Sequence, residues 1–199
     1  MGTSLNRKEA PVGAEGRPRS AIDAWTEGWP LSQGDFERLV DAFMQPLVQY
    51  AFRRLGNLHD AEDVVQEVFV RCYARRMECA RVAPVAPYLY RMAGNACTDV
   101  LRKRGRGEAP WESRAIDEIP SGAPSASMRC TAAEELQRAE ALIGRLPRKQ
   151  AEAIRLRTYD NLSLTEIAQV LECSPNTIGS RLRYGFQKLR KLASKEWTR

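Results

Sequence analysis

The 199 residues carry 31 Lys and Arg against 25 Asp and Glu, a formal charge of +6, with 43% apolar and 28% charged residues. That is enough apolar material for one or two small cores, and a basic balance favours a polyanionic partner. No stretch approaches the ~20 apolar residues of a membrane span, the N-terminus lacks an apolar signal core, and Asn6 breaks the myristoylation pattern that Met-Gly would open.

A cytoplasmic protein without membrane insertion is therefore expected. Cys72, Cys79, Cys97, Cys130 and Cys173 include no CxxC pair, and His59 is the one histidine. Such a set suits neither a disulfide framework nor a metal site. With no nucleophile–base pair and no phosphate loop, we expect no catalytic residues, no cofactor and no enzyme activity.

Residues 1–33 are rich in Gly, Pro and charge, without apolar periodicity, and read as a flexible tail. Helical spacing of apolar residues starts near Phe36 and runs to Leu101, which places a first domain at 34–106. Pro110, Pro120 and Pro124, with glycines and serines around them, mark a linker at 107–131. A second periodic block gives a domain at 132–194. Neither block alternates as strands do. The expected fold is all-α: two small helical domains joined by a flexible linker.

Within the first domain, Gly56 to Asp60 reads as a turn that contains His59. Asp60 to Arg76 then fits one amphipathic helix with Asp60 as N-cap. Ala61, Val64, Val65, Val68, Phe69 and Cys72 share one side. Asp60, Glu62, Asp63, Gln66 and Glu67 occupy the other or its border. Acids in a first turn stabilise a helix by themselves, so they serve either the helix or a partner. Val70, in the middle of the polar face, leans toward a partner.

Pro84 and Pro87 mark the start of the next helix, Tyr88 to Arg104. Its apolar side is Leu89, Ala93, Ala96, Cys97, Val100 and Leu101. Tyr88, Arg91, Asn95, Thr98 and Arg102 gather opposite, with Asp99 beside them. An aromatic ring, two arginines and an amide are groups that stack on bases, hold phosphates and pair with base edges. The Arg102-Lys103-Arg104 end adds phosphate affinity.

The most specific local pattern is Leu162 to Leu192. Ser163-Leu164-Thr165-Glu166 is a capping box. The short helix behind it exposes Glu166 and Gln169 and buries Ile167, Ala168 and Leu171. Glu172-Cys173-Ser174 forms a turn, and Pro175 takes the first helical position, where its missing N–H is harmless. The long helix that follows has Ile178, Leu182, Gly185, Phe186, Leu189, Leu192 and Ala193 on one side. Asn176, Thr177, Ser180, Arg183, Tyr184, Gln187, Lys188 and Lys191 lie on the other, with Arg181 at the edge. From Ser174 to Arg199 there are seven basic residues and one acid, Glu196. A short capped helix, a three-residue turn and a long basic helix form the pattern of a DNA-binding helix-turn-helix.

In this order, the blocks resemble the extracytoplasmic-function subfamily of bacterial sigma-70 RNA polymerase sigma factors. Asp60 to Phe69 is similar to the family's region 2.2 and Tyr88 to Arg102 to its region 2.4. Leu146-Pro147 with Gln150-Ala151, and Leu162 to Leu192, are similar to region 4. The resemblance implies a promoter-specificity subunit. Asp60, Glu62, Asp63, Gln66 and Glu67 would bind the β′ clamp helices of core polymerase. Tyr88, Arg91, Asn95, Thr98 and Arg102 would read the −10 element, with strand opening helped by the loop Met77 to Pro87. Asn176, Thr177, Ser180, Arg181, Arg183, Tyr184 and Lys188 would read the −35 element. The second domain would also touch the β flap, and an anti-sigma factor would cover both domains.

Tyr88 stands where the family usually has Trp. Gly179, Tyr184 and Phe186 stand where many members have Lys or Arg. The competing expectation is a stand-alone helix-turn-helix regulator. Such a protein needs dimer symmetry for paired half-sites, and the sequence offers no zipper or second apolar stripe.

Overall fold

The computed structural model describes residues 32–79, 84–105 and 136–197. The expected tail and linker lie outside them, except that Ser32 and Gln33 open the first helix. All secondary structure among the described residues is helical.

The first unit is built from α1 (Gln33–Leu55), α2 (Leu58–Ala74), the single turn α3 (Arg76–Cys79) and α4 (Val85–Lys103). The Ser32 side chain accepts from the Asp35 amide and caps α1. Gly56 ends it at φ 67°, a left-handed conformation open to glycine at little cost, and its N–H donates to the Phe52 carbonyl at 2.8 Å. Asn57 immediately caps α2 by accepting from the Asp60 amide. The helix therefore starts two residues before Asp60, which had been expected as the cap. His59 lies in the first helical turn, not in a loop.

Leu39, Phe43, Leu47 and Tyr50 line α1 at three- and four-residue spacing and are buried against the other two long helices. Each side chain of this size taken out of water contributes on the order of 1.5–3 kcal/mol. The expected apolar stripe of α2, from Ala61 to Cys72, is buried throughout. Phe36 meets Phe69 edge-on at 6.3 Å and Tyr73 at 5.0 Å between centroids, tying the start of α1 to the end of α2.

On α4, Leu89, Ala93, Cys97 and Leu101 are buried, while Ala96 and Val100 are half-buried. The helix begins at Val85, earlier than the two prolines suggest. Pro84 is its cap and Pro87 lies within the first turn, where no helical partner awaits an N–H. Gly94 of α4 makes room for the Tyr50 side chain of α1: a Cβ there would lie 2.9 Å from the Tyr50 hydroxyl.

The second unit comprises α5 (136–144), α6 (Arg148–Thr158), α7 (Leu164–Val170) and α8 (Pro175–Trp197). Ile154, Leu156, Leu162, Ile167 and Ile178 form its apolar centre. Beside them is a buried ion pair. Arg155 donates through Nε to Glu140 at 2.6 Å, and Tyr159 donates to the second Glu140 oxygen at 3.0 Å. Gly185 lets α8 lie on α6, since a Cβ there would come 2.6 Å from Ile154 Cδ1.

The two units touch. α7 packs on α4, and buried residues of both units join one core cluster.

Candidate nucleic-acid and partner interfaces

The helix-turn-helix forms as its local chemistry demands. The Ser163 capping box is complete: the Glu166 amide donates to Ser163 Oγ at 3.3 Å, and the Ser163 amide donates to Glu166 at 2.7 Å. Glu166 is consequently half-buried instead of exposed. Ile167, Ala168 and Val170 face the core, with Leu171 only half-buried. Glu172 takes φ 49° in the turn. Ser174 accepts from the Thr177 amide at 3.1 Å and caps α8.

On α8, Asn176, Ser180, Arg183, Tyr184, Gln187, Lys188 and Lys191 are exposed, and Thr177 and Arg181 are half-buried. Arg181 bends toward the turn and donates to Cys173 Sγ at 3.5 Å. The Arg183 guanidinium lies 4.9 Å from the Tyr184 ring centroid and donates to its hydroxyl at 3.2 Å. Phe186, expected on the core side, is 45% exposed. The buried line runs through Ile178, Leu182 and Gly185, and one residue beyond Gly185 is a rotation of ~100° that carries Phe186 off that line.

The α4 face is less open than α8. Asn95 and Arg102 are exposed; Tyr88, Arg91 and Thr98 are half-buried. Arg91 lies 5.5 Å from the Tyr88 ring centroid and 3.7 Å from Glu172 in the turn before α8. Thr98 donates to the Gly94 carbonyl at 2.9 Å and accepts from Arg54 Nη2 at 3.3 Å.

On α2, Glu62, Asp63, Gln66 and Glu67 are all exposed. Asp63 stands 3.0 Å from His59 and Glu67 stands 2.5 Å from Arg71, each one turn away. Exposed i,i+4 pairs of this kind are worth only ~0.3–0.5 kcal/mol and exchange readily for a partner's charges. Asp60 differs from its expected place on this face. It pairs with Arg104 at the end of α4, and its second oxygen is buried without a hydrogen-bond partner. Asp60 thus ties α2 to α4, and Arg104 is drawn away from the basic end that was to hold phosphate. Beyond the acids, Val70, Tyr73 and Met77 are exposed apolar side chains on the same part of the unit.

The described residues contain no group of His, Cys, Asp and Glu able to hold a metal. No described helix is long and apolar enough to cross a membrane. Burial pushes the Cys97 thiol up to about 12, which keeps it protonated and inert.

No local pattern in the sequence points to Arg53, Arg54, Tyr90, Glu152 or Asp160. Arg53 Nη2 donates to both Asp160 oxygens at 2.7 Å, and the Tyr90 hydroxyl donates to one of them at 3.2 Å. Arg54 Nη1 donates to Glu152 at 2.5 Å. Asn161, next in the chain to Asp160, takes φ 55°, a conformation that Asn tolerates. Burial raises the Asp160 pKa despite the opposing charge of Arg53.

A helical unit with an acidic face is followed along the chain by a unit with a basic helix-turn-helix. Residues 39–107 match the model of sigma-70 region 2, and residues 136–189 match that of sigma-70 region 4. The chain is similar to the ECF RNA polymerase sigma factor SigW of Bacillus subtilis, 29% identical over 80% of this chain and 89% of that one. It is 31% identical to the ECF RNA polymerase sigma-E factor of Escherichia coli, over 62% of this chain and 68% of the relative. The sigma factor RpoE of Bartonella quintana, solved with the anti-sigma factor NepR, shares the fold. Its TM-score is 0.59 at 22% identity, covering 80% of this chain and 97% of that one.

The chain belongs to the extracytoplasmic-function subfamily of sigma-70 factors. It is an RNA polymerase sigma factor that directs promoter-specific initiation, which sets aside the stand-alone regulator.

Proposed function

We propose a division of labour among three faces. Glu62, Asp63, Gln66 and Glu67 of α2 bind the β′ clamp helices of core polymerase. Tyr88, Arg91, Asn95, Thr98 and Arg102 of α4 read the −10 element. Asn176, Thr177, Ser180, Arg181, Arg183, Tyr184 and Lys188 of α8 read the −35 element as duplex, while the second unit also touches the β flap.

The observation that carries this reading is the outer face of α8. From Asn176 to Lys191 it presents amides, hydroxyls, arginines and lysines with no acid among them. Phosphate contacts need the cations, and base edges need the forked and amide donors near the helix start. On α2, Val70 is 67% exposed one turn beyond Glu67, and an apolar group so placed gains from a partner that covers it.

The factor is not an enzyme in its own right and acts where polymerase acts, in the cytoplasm. A fold shared with a sigma factor solved against an anti-sigma factor supports an anti-sigma partner here. Run-off transcription with core polymerase on genomic fragments tests the whole assignment. Discrete start sites downstream of a shared −35 and −10 pair are expected. Transcription that does not change on adding the factor would defeat it.

A further inference from the structure

We propose that residues 20–31, the stretch of chain that runs directly into α1, dock on the exposed apolar end of α2 and α3 and cover it in the free factor until core polymerase displaces them. The competition with polymerase rests on the α2 reading given above; the docking does not.

Val70 and Met77 are each 67% exposed, and Tyr73 between them is 40% exposed. They stand three and four residues apart, on successive turns, and so form one apolar strip. Phe36 of α1 meets the Tyr73 ring at 5.0 Å between centroids, and the Arg76 guanidinium lies 4.6 Å from it.

The start of α1 fixes where the preceding chain emerges. Ser32, the cap of α1, stands four residues before Phe36, ~6 Å along the helix axis. Leu31 therefore leaves α1 beside the strip. From Val70 to Met77 the strip is ~10 Å long. Residues 20–31 span ~18 Å as a helix and ~40 Å fully extended, so either form carries them past all three side chains.

These residues lie outside the described ones, but their chemistry fits the strip. The tail as a whole has no apolar repeat, yet its last part holds Ile22, Trp25, Trp29 and Leu31. Ile22, Trp25 and Trp29 follow at three- and four-residue steps, which places them within ~60° of one another on a helix. Pro30 would stop such a helix just before the α1 cap.

Charge agrees. Residues 20–31 contain Asp23 and Glu27 and no Lys or Arg. Arg71, Arg75 and Arg76 border the strip. From Glu67 to Cys79 the acids are Glu67, which already pairs with Arg71, and Glu78.

A tryptophan buries on the order of 150–250 Å² when covered. A tether of a few residues presents both rings to the strip at an effective concentration on the order of mM. A contact too weak to hold a second copy of the chain at micromolar concentration is thus populated within one molecule. It still yields to a partner that covers more area. Val70 belongs to both surfaces, because it stands one turn beyond Glu67 on the face proposed for the clamp helices. Polymerase cannot cover it while the segment does.

The test uses the full chain. Trp111→Phe/Trp197→Phe leaves Trp25 and Trp29 as its tryptophans, and circular dichroism first establishes native helix content. Acrylamide should quench this chain ~2-fold less than the same chain carrying Val70→Lys/Met77→Lys, since covered rings are withheld from solvent. Both lysines enter at exposed positions, where the core is untouched. Equal quenching in the two chains would overturn the docking. Protection that disappears on dilution through the micromolar range would give the strip to a second copy and overturn it as well.

Trp25→Ser/Trp29→Ser, in the otherwise unaltered chain, should bind core polymerase ~5-fold more tightly than the wild type, as follows when the strip is open about a fifth of the time. Equal affinity beside demonstrated protection would overturn the competition. If wild type and variant both fail to bind core polymerase, the functional reading fails, while quenching still decides the docking.

Discussion

Arg183 and Tyr184 show what a single residue contributes on α8. The guanidinium is planar, exposed and stacked near its neighbour's ring, a geometry that pre-aims its fork at a base edge or phosphate. Arg183→Ala should weaken binding to −35 duplex by ~1–3 kcal/mol if the contact is bidentate. Arg183→Lys should restore only the phosphate share, because an ammonium lacks the fork. Fluorescence titration at fixed salt separates these outcomes, and an unchanged affinity removes Arg183 from the interface.

On α2 the matching residues are Asp63 and Glu67, bound only to exposed neighbours. Reversing both charges should lower affinity for core polymerase while leaving −35 duplex binding by the isolated chain intact. Side-chain faces at this scale were legible in the sequence, since helical periodicity alone places Asn176, Ser180, Arg183 and Lys188 together. Asp60 was not, because its partner Arg104 lies on another helix.

At the scale of the element, packing sets terms that local patterns do not carry. Gly185 reads as a weak point in a helix, yet it marks the crossing of α8 over Ile154. Gly185→Ala should destabilise the second unit by ~1–3 kcal/mol through overpacking, even against its gain in helix propensity. Ile154→Val removes the obstructing Cδ1, so the double variant should be more stable than the sum of the two single changes predicts. Urea unfolding of the four chains measures that coupling.

The α2 boundary is a similar case. Asn57 and Asp60 are both good caps, and the sequence offers no reason to prefer the earlier one. Left-handed Gly56 turns the chain so that Asn57 reaches the Asp60 amide first. The capping box at Ser163 had no rival nearby and was legible to the residue.

At the scale of the molecule, two tethered domains were expected and two contacting units are found. Arg53 and Asp160 are 107 positions apart, and nothing periodic announces a pair at that separation. Their chemistry yields a prediction with a definite sign. Asp160 faces Arg53 from α1 and Tyr90 from α4; Arg53 also lies over the Tyr159 ring at the end of α6, and the Arg54–Glu152 pair is nearby. Burial raises its carboxyl above the ordinary 3.8, and Arg53 opposes that rise.

Removing the guanidinium in Arg53→Met takes away the opposing charge and lifts the carboxyl further. It leaves a buried carboxylate at neutral pH, a loss of ~3–5 kcal/mol for a broken buried pair. A carboxyl whose pKa is raised in the closed form favours closure when protonated, and that contribution is lost as pH rises through the raised value. Arg53→Met should therefore be open at neutral pH and close again on acidification, while the pH is still above 3.8. Arg53→Met/Asp160→Asn has no carboxyl to titrate there and should show no such transition. Scattering across that range decides it: an Arg53→Met chain that stays compact at neutral pH would mean the contact is held by packing between α4 and α7, with the charges as bystanders.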